Sequence, residues 1–81
     1  MKSFNVEFPL AIGTYVSKEE DGNIHVDQLY QYIVGVNGIS VIVMLDALTS
    51  PRLSTPIDID AFMNNWEEIK QLDDFDYLIK R

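Results

Sequence analysis

Few side chains in this chain could carry out covalent chemistry. His25 is the only histidine among 81 residues and there is no cysteine, which removes Cys–His nucleophiles, disulfides and thiolate metal sites together. A Ser–His–Asp set can be composed from Ser17, His25 and Asp27, but no G-x-S-x-G elbow accompanies it. His25 lies in an alternating run beside a turn and reads as a solvated strand residue. Paired carboxylates could do general acid–base work if a pocket held two of them roughly 5–10 Å apart. A chain this short has little room for such a pocket. Glu19-Glu20-Asp21-Gly22-Asn23 gathers oxygen ligands around a glycine yet lacks the alternating acids and distant glutamate of an EF-hand. It reads as a charged hairpin tip. Gly13, Gly22, Gly35 and Gly38 are isolated and form no phosphate loop. The expectation is a non-catalytic protein without metal or cofactor.

Charge is the feature with functional reach. The net charge is −7, and it is uneven. Residues 58–76 hold Asp58, Asp60, Glu67, Glu68, Asp73, Asp74 and Asp76 against Lys70, seven acids and one base, a net −6. Direct nucleic-acid binding is disfavoured, because phosphate contacts need clustered Lys and Arg. Tyr15, Tyr30, Tyr32, Tyr77 and Trp66 suggest a stacking platform, but such platforms are paired with basic grooves. Here they read as structural aromatics, with Trp66 anchoring a helix to the core. An acidic row can instead meet a basic surface of a partner protein, and it also keeps a small β-rich chain in solution. Glu67, Glu68, Asp73, Asp74 and Asp76 are the candidate partner-binding residues. By analogy of size and charge alone, the concrete form is an inhibitor or modulator of a nucleic-acid enzyme, of the kind phages encode.

The elements that must position these groups centre on one hairpin, residues 28–48. Asn37-Gly38 between two β-branched runs predicts a two-residue type I′ turn. Counting outward sets Val36 against Ile39, Val34 against Val41, Tyr32 against Val43 and Tyr30 against Leu45, an apolar face turned to the core. The other face carries Leu29, Ile33, Ile42 and Met44, which need a cover. Left uncovered, they, or a strand edge, would serve an alternative role, a homo-oligomeric accessory module that assembles through this hairpin.

The remaining segments supply the frame. Phe4, Val6 and Phe8 alternate up to Pro9, as an edge strand does, and Gly13 marks a bend before a short strand at Tyr15-Val16. Ser17 to Asn23 is expected as a turn, and Leu48 to Pro56 as a loop with two prolines and four hydroxyl residues. A helix is predicted over residues 58–72, with Asp58 as N-cap, Ile57 and Phe62 as a hydrophobic staple, and Phe62, Trp66 and Ile69 on one face. That face is the expected cover for Leu29, Ile33, Ile42 and Met44. Residues 73–81 alternate Phe75, Tyr77 and Ile79 as a final strand, though a helix also fits. The architecture is a single α+β domain, residues 1–81: a small antiparallel sheet or SH3-like, partly open barrel of four or five strands with one helix. No leader pattern and no run approaching about 18 apolar residues is present, so a cytoplasmic location is expected.

Overall fold

The computed structural model of the chain describes residues 8–70. Strands β1 (Tyr15–Glu20), β2 (Asn23–Gly35) and β3 (Gly38–Leu45) form an antiparallel meander. Two short strands, β4 (Arg52–Leu53) and β5 (Ile57–Asp58), both line the outer edge of β3. Helix α1 (Ile59–Asn65) follows, and strand β6 (Glu67–Glu68) returns to pair with β1. Among the described residues the order is β4-β3-β2-β1-β6, with β5 also on β3, an open six-stranded sheet with one short helix. The small antiparallel α+β expectation holds at that level, and the sheet does not close into a barrel.

Turn chemistry decides the register, and it differs from the expected one. The I′ turn, which needs positive φ at both central residues, sits at Asp21-Gly22, with φ of 53° and 81°. The expected long turn over Ser17–Asn23 therefore shrinks to two residues, and β1 runs on to Glu20, opposite Asn23. In the second hairpin the turn residues are Val36 and Asn37, closed by Gly35 opposite Gly38. The positive φ falls at Gly38, 128°, so glycine follows the turn instead of forming its second corner. Pairing shifts accordingly: Val34 faces Ile39 and Tyr32 faces Val41.

A β-bulge between Leu29 and Gln31 then changes which residues look inward. One extra residue in β2 reverses the side-chain alternation. Beyond it Leu29 faces Val43 and is fully buried, while Tyr30 turns outward. The expected outer face of Leu29, Ile33, Ile42 and Met44 is thus not one surface. Leu29 belongs to the core, Ile33 is exposed and opposite Ser40, Ile42 is half-buried opposite Gln31, and Met44 is half-buried opposite Gln28.

The core is Val16, Leu29, Val41, Val43 and Phe62, rimmed by Leu10, Tyr32, Leu45, Ile57, Ile59 and Trp66. Phe62, fully buried, is the only buried side chain that α1 supplies. The Asp58 side chain accepts from the Asp60 amide, so the N-cap is as expected. The helix stops well short of residue 72. Asn64 and Asn65 are weak helix formers whose amides compete for backbone groups, and Asn65 Nδ2 donates to the Ala61 carbonyl at 2.8 Å. Trp66 then takes extended backbone (φ −117°, ψ 148°), its amide closing the last turn on the Phe62 carbonyl. Because residues 66–68 are extended, Glu67 and Glu68 lie on a strand and not on the outer face of a helix.

Candidate functional site

Two regions gather polar side chains. The first lies on the inner face of the sheet, at the end where β1 and β2 meet the loop after β3. Asp27 is buried there at 2% exposure, beside Val16 in the β1 ladder. A buried carboxylate needs partners for both oxygens. One accepts from the backbone amide of Asp46 at 2.9 Å, the other from Trp66 Nε1 at 2.7 Å. The same indole stacks on Phe62 with ring centroids 5.5 Å apart and carries the Lys18 ammonium 4.6 Å above its ring. Asp27 therefore ties β2, the turn after β3 and the exit of α1 to one point.

Beside it, Asp46 takes a positive φ of 51°, and its carbonyl accepts from the amides of Thr49 and Ser50. Its carboxylate pairs with Arg52 and stands 3.5 Å from His25 Nδ1. The hydrogen bond from Arg52 holds the Asp46 carboxyl below the usual carboxylate range against the opposing effect of desolvation, and His25 adds to the lowering. These groups line a shallow cleft of about 180 Å³. Its lining residues include Lys18, Glu20, His25, Asp46 and Arg52, and no hydroxyl side chain. Ser17 pairs with Val26, so it looks to the opposite face from His25 and Asp27. The Ser17–His25–Asp27 set is not brought together. The arrangement is an Arg52–Asp46 ion pair with His25 beside it, and the buried Asp27 carboxylate is committed to structure.

The second region is the acidic edge. Strand β6 places Glu67 opposite Ser17 and Glu68 opposite Val16. Glu67 then shares an open cleft on the outer face with Glu19, Ile24, Asn64 and Asn65. Glu19, Glu20 and Asp21 are exposed at the β1–β2 turn, and Glu67 and Glu68 are exposed on β6. Lys18 is the base nearest in sequence to that turn, and its ammonium lies over Trp66. Of the five candidate partner-binding acids, Glu67 and Glu68 are here, while Asp73, Asp74 and Asp76 lie outside the described residues, as does the expected final strand over 73–81. In the sequence Glu19 stands only as part of a charged hairpin tip. Its association with Glu67 depends on a strand that the helical spacing of Phe62, Trp66 and Ile69 concealed.

The aromatic residues do not assemble into a platform among the described residues. Tyr32 Oη donates to the Leu10 carbonyl at 2.7 Å and accepts from the Leu10 amide, and its ring stacks on Phe8 with centroids 4.1 Å apart. Among the described residues no group of three or more His, Asp or Glu is placed to hold a metal ion, and no helix is long and apolar enough to cross a membrane. Comparison with family models, curated proteins and solved structures gives no match. The functional reading rests on the geometry alone.

Proposed function

We propose that this is a small, non-catalytic interaction protein whose acidic edge engages a basic surface of a partner protein. The observation that carries the reading is the return of β6 to β1, which sets Glu67 and Glu19 on one open cleft, while Glu20 and Glu68 are exposed on the other face of the same edge and Asp21 at the adjoining turn. Carboxylates held on a strand framework keep their spacing, so a partner meets a fixed negative field. An inhibitor of a nucleic-acid enzyme, of the phage-encoded kind, is the most concrete form: a basic groove that ordinarily takes a phosphate backbone would take this edge instead. The finer architecture proposed with it is an SH3-like, partly open barrel. A short helix leading into a last strand that pairs back on the first is compatible with that topology. The proposed location is the cytoplasm.

The test is capture of partners from cell extract by the full chain and by a Glu19→Lys/Glu67→Lys variant, at low and at high salt. Capture that weakens with salt and fails in the variant is the expected result. Equal capture by both proteins would remove the acidic edge from the mechanism.

A further inference from the structure

Of the asparagines Asn5, Asn23, Asn37, Asn64 and Asn65, only Asn37 is followed by glycine. An asparagine side chain holds an electrophilic carboxamide carbon one five-membered ring away from the backbone nitrogen of the next residue. A Cβ on that next residue obstructs ring closure, and glycine has none. The fold keeps this pair open. Asn37 is the exposed second corner of the β2–β3 turn, between the fully exposed Val36 and the exposed Gly38. A Cβ added at Gly38 would meet nothing within 4 Å, so the carboxamide has room to swing over the backbone. Gly38 pairs with Gly35 at the very end of the ladder, where pairs open locally before those behind them.

The other candidates are placed differently. Asn23 precedes the β-branched Ile24 within β2. Asn64 lies in α1. Asn65 commits Nδ2 to the Ala61 carbonyl at 2.8 Å, and the amide it would need, that of Trp66, donates to the Phe62 carbonyl at 3.0 Å. Asp21-Gly22 has the glycine but offers a carboxylate, whose carbon is a far poorer electrophile than an amide's. Asn5 lies outside the described residues.

We propose that Asn37 is a site of spontaneous covalent modification, converted through a cyclic succinimide to aspartate and isoaspartate. The Gly38 nitrogen gives up its proton to solvent and bonds to Asn37 Cγ. The Cγ–Nδ2 bond breaks, and Nδ2 takes up a proton and leaves as ammonia. Water then opens the ring at one of its two carbonyls. Opening at Cγ restores the ordinary backbone with an aspartate. Opening at the α-carbonyl leaves Gly38 joined through Cγ, as isoaspartate. The balance is asparagine plus water to either product plus ammonia. Both products place a carboxylate at position 37, in the cleft that this residue shares with Asp58, and add a negative charge to a chain of net −7. Isoaspartate also inserts a carbon into the backbone of a two-residue turn. The tip of the hairpin thus carries a one-way change of charge and turn geometry, at the end of β2 away from Glu19 and Glu67.

The experiment is timed incubation of the full chain at neutral and mildly alkaline pH, folded and in urea, beside Asn37→Gln. Mass spectrometry of the intact protein and its fragments locates any exchange of NH2 for OH, and released ammonia is measured alongside. In the folded chain exchange should occur at Asn37 ahead of Asn23, Asn64 and Asn65, with one ammonia lost per converted chain. It should be faster at the higher pH, because the attacking nitrogen must lose its proton, and isoaspartate should be among the products. Asn37→Gln should remain unconverted at that position, since its ring would be six-membered and closes far more slowly. An Asn37 that survives in the folded chain while the urea-unfolded chain converts overturns the proposal, as does earlier conversion at Asn23, Asn64 or Asn65. Aspartate without isoaspartate would mean direct hydrolysis and overturn the cyclic route. Extract capture by the Glu19–Glu67 edge is a separate reading, so the two proposals fail independently.

Discussion

Replacing Asp27 with asparagine isolates what the buried carboxylate does. Both oxygens accept from donors, Trp66 Nε1 at 2.7 Å and the Asp46 amide at 2.9 Å. Asparagine offers one oxygen and one NH2, so one of the two donors would face another donor. A hydrogen bond to a charged acceptor contributes about 1.5–3 kcal/mol, and a buried donor left unmatched costs about 1–3 kcal/mol. The expected loss is about 2–3 kcal/mol, against a total stability of roughly 4–12 kcal/mol for a chain of this length. Urea denaturation followed by circular dichroism reads it directly, with the midpoint falling by about 1–2 M at unchanged slope. A cycle with Trp66→Phe, which removes the indole donor but keeps an aromatic ring, separates the pair from the general cost of each substitution. Coupling of about 1 kcal/mol or more is expected for groups in contact. An Asp27→Asn midpoint near that of the parent, or coupling near zero, would refute the view that Asp27 ties the three segments together.

Other outcomes follow from the same geometry. Phe62→Ala should cost about 3–5 kcal/mol and leave little folded protein, seen as loss of a cooperative thermal transition, because Phe62 is the only buried side chain of α1. Gly22→Ala should cost about 1 kcal/mol through its φ of 81°, where no neighbour meets the new methyl. Gly35→Ala should be nearly neutral in the same denaturation assay, since its nearest contact is an ordinary 3.8 Å. Asp46→Asn tests the Arg52 pair through pH. The folded-state pKa of Asp46 is depressed, so its contribution is present above the unfolded value near 4 and lost as pH falls through the folded one. The variant should therefore be less stable by about 0.5 kcal/mol at neutral pH, the scale of a screened surface pair. That difference should vanish in strong acid, as comparative melts at neutral and acid pH would show.

Legibility in the sequence tracked how local each determinant was. The Asp58 cap and the Ile57–Phe62 spacing are set within a few residues, and the start of α1 is where they place it. The Asn37-Gly38 pair marked the right hairpin but not its register, because a glycine with positive φ serves equally well after a turn as within it. The bulge at Tyr30 carries no glycine or proline to announce it, yet it turns Leu29 inward and Tyr30 outward. Trp66 fitted the helical stripe with Phe62. In the structure the same residue satisfies the core from an extended backbone, and its bond to a carboxylate 39 positions earlier outweighs continuation of the helix. That partnership links distant segments, so neither Asp27 as an anchor nor the nearness of Glu19 to Glu67 had a local signature.

The way β6 is fastened also sets an order of events. The β1–β2 and β2–β3 hairpins join neighbours in sequence and need only short loops to close. The β6–β1 pairing joins Val16 to Glu68, 52 positions apart, through two residues of strand, so it incurs the largest loop-closure entropy for the fewest backbone bonds. Its amides should exchange with deuterium sooner than those of the meander, through a local opening that leaves the hairpins intact. The acidic edge then has two conditions, assembled and released, and a partner that holds Glu19 and Glu67 together selects the first. Binding at that edge would slow exchange at Ser17, Glu67 and Ile69, and so make the protein's least cooperative joint its most responsive one.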